Sequence, residues 1–220
     1  MERIRIKRHN LEIIIMGFVL ISFIIVPADA AFSGTDTPPY PYGGVDSYKD
    51  FAVRTADSDT GICKIRCVDL GWPGSYAAGT NDRAWVGSTY LTTEEVTNNW
   101  KIVAQWDLTY ELESWWWSTI RIEIWYTVRK GNGDWVWGFE VWSDEVTGGF
   151  DWVTKGKSIS NKEIEQGFGI NLDNGIYYHF CVELRVVVPD GGGACKAHEN
   201  NNENNPAKLT VDEISWSYLV

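Results

Sequence analysis

The chain has 220 residues, a formal net charge of −11, 44% hydrophobic residues and 13 tryptophans, all after residue 70. That length gives one domain with a sizeable core. A surface this acidic repels phosphate backbones and anionic headgroups, which excludes nucleic acid and anionic lipid as partners.

Arg3, Arg5, Lys7 and Arg8 precede an apolar run from Ile13 to Val26, and Ala28-Asp29-Ala30 follows as an A-x-A cleavage site. Residues 1–30 therefore read as a secretory signal peptide, with an uncut N-terminal anchor as the alternative. Cleavage leaves 190 residues with a net charge of −12, no stable membrane span, and a secreted or cell-surface location. Residues 31–47 hold Pro38, Pro39 and Pro41 among glycines and tyrosines and read as an extended lead-in. The domain is expected over residues 48–220.

Asp57-Ser58-Asp59-Thr60-Gly61 places oxygens at alternate positions before a turn glycine, a fragment of a calcium loop without its later bidentate Glu. Asp57 and Asp59, with Asp212 from the last strand, are the candidate ligands of a structural calcium, by analogy with calcium-bearing jelly-roll sugar-binding modules. No other cofactor is expected. Gly61 to Asp69 is a candidate strand carrying Cys63 and Cys67 on one face, about 13 Å apart and too far to bond to each other. In an exported chain four cysteines read as two disulfides, each of these pairing with Cys181 or Cys195. A metal site through Cys195-x-x-His198 is the rival reading.

Arg83 to Leu91 is another candidate strand. Capping-box strings occur at Thr92-Thr93-Glu94-Glu95 and Ser160-Asn161-Lys162-Glu163, each opening at most two helical turns. Lys101 to Glu113 alternates cleanly, with Ile102, Ala104, Trp106, Leu108, Tyr110 and Leu112 on one face. Thr119 to Lys130 does the same with Ile120, Ile122, Ile124, Tyr126 and Val128. Pairing these two strands as a hairpin around Trp116 aligns their apolar rows and sets Glu111 against Arg121. The tip, Trp115 to Trp117, then plugs the sandwich end or projects as an apolar knob; the plug is the expectation. Gly131-Asn132-Gly133-Asp134 predicts a second hairpin through a two-residue type I′ turn. That register opposes Val128 to Trp137, Tyr126 to Phe139, Ile124 to Val141, Trp125 to Glu140 and Glu123 to Trp142.

Tyr177 to Val188 and Lys208 to Leu219 complete the strands, the last with a bulge near Asp212-Glu213 where its phase slips. Many alternating strands with Gly-rich turns predict an all-β antiparallel sandwich of jelly-roll type.

These registers put Gln105, Asp107, Glu123, Trp125, Glu140 and Trp142 on one outer face, while Trp106, Trp135, Trp137 and Trp216 fall in core rows. Aromatic rings rimmed by carboxylates and amides suit a sugar, whose CH face stacks on the ring while its hydroxyls reach the polar rim. The expected function is non-catalytic glycan binding outside the cell. Two alternatives stand beside it. One is a surface, filament or adhesin subunit that oligomerises through the Pro/Tyr-rich segment or the Trp115–Trp117 tip. The other is a glycoside hydrolase using Glu123 and Glu140. Ile122-Glu123-Ile124-Trp125 resembles the Glu-containing catalytic strand of Trp-rich jelly-roll endoglucanases. It departs from them in that the acid lies two residues before the Trp instead of four, where Arg121 stands.

Overall fold

A computed structural model describes residues 30–47, 52–69, 80–92, 96–97, 99–189, 195–199 and 205–219. The expected signal segment falls almost wholly outside them, as does most of the Thr92–Glu95 string. The described chain is built from strands: β1 (Ala30–Asp36), β2 (Tyr42–Ser47), β3 (Ala52–Asp57), β4 (Ile62–Asp69), β5 (Thr80–Leu91), β6 (Val96–Thr97) and β7 (Trp100–Ser114). Then come β8 (Thr119–Lys130), β9 (Trp135–Thr147), β10 (Val153–Phe168), β11 (Asn171–Leu172), β12 (Tyr177–Val188), β13 (Cys195–His198) and β14 (Ala207–Leu219).

Eight of them form an antiparallel ribbon wrapped on itself. β4 pairs β14, β5 pairs β12, β7 pairs β10 and β8 pairs β9, so the first strand meets the last and so on inward. Wrapping lays the ribbon into two sheets, β4-β14-β7-β10 and β5-β12-β8-β9, with each ribbon pair side by side. This is jelly-roll topology, the expected class. β1 and β3 widen the first sheet, and β13 fills the gap between β4 and β7 where β14 begins. β2 widens the second sheet beyond β5.

Residues 31–47 are thus no lead-in. Their extended backbone supplies one strand to each sheet, and Tyr40 between them is buried, its hydroxyl donating to the Val211 carbonyl. β7 alternates buried and half-buried residues along its whole length. Its inner face sends Ile102, Trp106, Leu108, Tyr110 and Leu112 against Ile120, Ile122, Ile124, Tyr126 and Val128 of β8 and against Phe180, Val182 and Leu184 of β12. All of these are fully buried.

The expected hairpin and the second capping box both fail here. β7 and β8 do not form a hairpin: β7 pairs β10 and β14 in one sheet, and β8 pairs β9 and β12 in the other. Alternation tells which face of a strand is buried, and that face is the same whether the next strand lies beside it or across the core. Trp115 to Ser118 is therefore the crossing between sheets, and Trp116 and Trp117 take left-handed backbone with φ of 57° and 53°. The Ser160–Glu163 string opens no helix either. It lies inside β10, where a bulge between Ile159 and Lys162 sets Asn161 at φ 50°. In the last strand the slip occurs where expected, leaving Asp212 as the extra residue between Val211 and Glu213.

No disulfide forms among the described side chains; Cys63, Cys67 and Cys181 are buried thiols. Cys63 and Cys67 point inward from β4, whereas Cys181 lies in phase with His179 and Glu183 on the outer side of β12. A sheet backbone separates them, which spacing along the chain did not reveal. The Cys195 side chain lies outside the described set.

Candidate functional site: the outer face of the five-stranded sheet

Registers across β2, β5, β12, β8 and β9 lay the outer residues in rows. One row reads Thr89, His179, Arg129, Trp135; the next Tyr42, Gly87, Cys181, Thr127, Gly138. Below them lie Gly44, Trp85, Glu183, Trp125, Glu140, then Asp46, Arg83, Arg185, Glu123, Ser143. The second row is mostly small, and rings from its neighbours fold over it. Tyr42 stacks on His179 at 3.8 Å and 2°. The Trp135 ring lies over Gly138 so closely that a Cβ there would overlap it.

Guanidinium planes alternate with these indoles. Arg129 sits 4.0 Å from the centre of Trp85 and 5.4 Å from that of Trp135. Arg185 sits 3.9 Å from Trp125 and 5.1 Å from Trp135. Trp125 meets Trp135 edge to face at 6.4 Å. Between the two arginines lies the fully buried Glu183, which accepts from Arg129 Nη2 at 2.8 Å and Arg185 Nε at 2.6 Å. Burial pushes the Arg185 guanidinium down from its ordinary range, and Glu183 opposes that. Desolvated guanidinium over an indole is a strong form of the cation–π contact, so the ladder is stiff.

The carboxylates beside it are tied to Arg121. Glu123 Oε1 lies 3.2 Å from Arg121 Nε, and Glu123 Oε2 accepts from Trp125 Nε1 at 2.5 Å. Glu140 Oε2 accepts from Arg121 Nη2 at 2.5 Å, and Ser143 Oγ accepts from the same nitrogen at 3.1 Å.

Of the six residues expected on this face, the structure brings together Trp125, Glu123 and Glu140. Trp142 is turned inward opposite Ile124, edge to face with Trp106 and Tyr110 at 6.2 and 5.7 Å. The cause is a bulge at Val141, which moves every later residue of β9 by one and puts Ser143 opposite Glu123. Gln105 and Asp107 belong to β7 and so to the other sheet, where Asp107 Oδ1 accepts the Asn161 N–H at 2.6 Å.

Trp135, expected in the core, is on the outer face and 42% exposed. The turn at Gly131-Asn132-Gly133 is a three-residue loop: Gly133 N–H donates to the Lys130 carbonyl, Gly133 adopts φ +92°, and Lys130 N–H reaches Asp134. One extra loop residue sets Trp135 against Arg129, and a bulge at Val136 restores Val128 opposite Trp137. Sequence reasoning also missed Trp85, Arg129, Arg185 and Glu183. The available signal was Glu183-x-Arg185 on β12, the spacing that keeps two opposite charges on one face of a strand.

Of the expected calcium ligands, Asp57 has partners within its own turn, accepting from Thr60 Oγ1 at 2.7 Å and from the Asp59 N–H at 3.0 Å. The Thr60 hydroxyl thereby holds the Asp57 carboxyl below its usual range. Among the described residues, Asp57, Asp59 and Asp212 are not gathered within ligand distance of one another.

At one end of the sandwich the Trp115–Trp117 crossing meets the β9–β10 loop. Trp117 contacts Phe150 at 4.7 Å, and Trp115 stacks on Trp152 at 6.3 Å. Trp115 and Trp116 are half-buried, while Trp117 and Phe150 are 52% and 73% exposed, so the tip is more knob than plug.

No protein-family model matches the chain, and no curated protein does. Among solved structures it is similar to the C-terminal CBM6 of a marine laminarinase from Zobellia galactanivorans, with 11% identity over 84% of this chain and 99% of that one, and a TM-score of 0.24. It is also similar to a family 35 carbohydrate binding module from Clostridium thermocellum, with 12% identity over 83% and 97% and a TM-score of 0.23. A family 11 carbohydrate-binding module of the same organism, in complex with a β-1,3-1,4-mixed-linked tetrasaccharide, gives 13% over 86% and 89%, with a TM-score of 0.19. At such TM-scores these likenesses bear on neither the site nor a ligand.

Proposed function

We propose that this protein is an exported, non-catalytic carbohydrate-binding module whose ligand lies across the outer face of the five-stranded sheet. The observation that carries this reading is the exposed indole of Trp135, fixed over Gly138 and flanked by two guanidinium planes. A ring already held in place stacks on the CH face of a sugar without a further ordering cost. Glu140, Arg121 and Glu123 supply directional hydrogen bonding beside it, the mix of apolar surface and few convergent polar groups that binding sites use. The N-terminal signal pattern sends such a module outside the cell or to its surface.

The geometry weighs against the glycosidase and against assembly through residues 31–47. A glycosidase needs room between its two carboxyl groups for the scissile bond, and the Arg121 guanidinium fills that space, bonded to both Glu123 and Glu140. An assembly arm at residues 31–47 would have to leave both sheets.

Trp135→Ala is the deciding variant. Titration of soluble plant and microbial polysaccharides by calorimetry should show binding by the wild type and at least tenfold weaker binding by Trp135→Ala, a loss of about 1.4 kcal/mol. Equal affinity in the two proteins would remove this face as the ligand site.

A further inference from the structure

The other sheet carries a second arrangement on its outer face, independent of the sugar reading. Glu111 and Glu113 alternate outward on β7, and β13 sets His198 opposite Glu111 and Lys196 opposite Glu113. His198 is fully buried although it sits on an outer row. Its Nδ1 lies 2.9 Å from the Glu199 carbonyl oxygen, which can only accept, so Nδ1 carries a proton. Nε2 points at the carboxylates, 3.1 Å from Glu113 Oε1 and 3.7 Å from Glu111 Oε1. In the neutral ring Nε2 is a lone pair aimed at two acceptors. That arrangement is stable only with positive charge between them, either a proton or a metal ion.

We propose that Glu111, Glu113 and His198 form a divalent-metal site of zinc type. Zinc bonds of about 2.0–2.2 Å in tetrahedral geometry set neighbouring donor atoms about 3.3–3.6 Å apart. The observed 3.1 and 3.7 Å bracket that spacing, and all three donor atoms lie within 4.8 Å of one another. One imidazole with two carboxylates is a borderline donor set that suits zinc better than calcium. The Nδ1–H bond to a backbone carbonyl is the outer-shell contact that orients a ligating histidine. Lys196 Nζ, 3.0 Å from Glu113 Oε2, occupies the far oxygen of that carboxylate and leaves Oε1 on the site. Across β7, Gly156 stands opposite Glu111, so no side chain of β10 crowds that flank.

Equilibrium dialysis of the full chain against zinc chloride after chelation tests this. The wild type should retain one zinc per chain, and cobalt in its place should give the visible bands of four- or five-coordination. Glu111→Gln, which keeps the side-chain volume, should bind at least tenfold more weakly while its circular dichroism stays that of the wild type. Should Glu111→Gln fail to fold, Glu113→Gln serves the same comparison. A wild type that takes up no stoichiometric zinc, or a folded Gln variant that binds as well as the wild type, overturns the site. Neither result touches Trp135, so sugar binding stands or falls separately.

Discussion

Partial burial at the β14 bulge, and then the Asp107 carboxylate beside it, raise the Asp212 carboxyl above its ordinary value of 3.8. The fold therefore disfavours the ionised form. Asp212→Asn should raise the thermal midpoint at pH 7, and the gain should vanish at about pH 2.5, where the carboxyl is protonated in both states. Asp144 has the opposite sign. Burial pushes its carboxyl up, but Lys155 and Tyr110 outweigh that and hold it below 3.8. Its contribution to stability is complete above the unfolded value and is lost as pH falls through the lowered one. Asp144→Asn should thus lower the midpoint at pH 7 and converge on the wild type in acid. A constant difference across pH would show that the effect is steric. Bulges and loops also decided where two indoles ended. Trp135 lies outward because the loop before it is three residues long, and Trp142 lies inward because Val141 bulges. The Asn-Gly signal located the hairpin but not its three-residue loop, and pairs such as Val128 with Trp137 and Trp125 with Glu140 are met because the bulge at Val136 offsets the extra loop residue. Loop length and bulge position depend on packing against other strands, and those were not legible.

At the scale of elements, alternation located β4, β5, β7, β8, β12 and β14 nearly to their ends. It missed β10 because that strand is an edge. Lys155, Lys157 and Lys162 share the core-side face of this strand with Ile159, Ile164 and Phe168, at the rim of the sandwich where the strand is mostly exposed, so no continuous apolar row announces it. It also could not say that β7 and β8 lie in different sheets, which removed Gln105 and Asp107 from the site. The ladder on the outer face of β5, β8, β9 and β12 behaves as one element. Glu183→Ala leaves Arg129 and Arg185 buried without their carboxylate and should cost about 3–5 kcal/mol, read as a lower urea midpoint. A loss under about 1 kcal/mol would mean the arginines find other partners.

For the whole molecule, the jelly-roll class was legible from strand number and turn spacing. The fate of the cysteines was not, because it depends on which side of a sheet each thiol faces. Nor was the role of residues 31–47, whose prolines and glycines hide two strands. Deleting them should abolish cooperative unfolding, because it takes a strand from each sheet and Tyr40 from the core. A sharp two-state thermal transition in the truncated chain would show that both sheets close without them. The wrapped ribbon also orders events in time. β14 is bordered on one side by β4 and β1 and on the other by β7, so the seven-stranded sheet has a gap down its middle until that strand arrives. A chain emerging vectorially from a ribosome or a secretion pore presents β4, β7 and β10 well before the segment that joins them. Its contacts are of high order, its folding slow, and its long edges open meanwhile. That sheet closes only when the 13-residue β14 enters between β4 and β7.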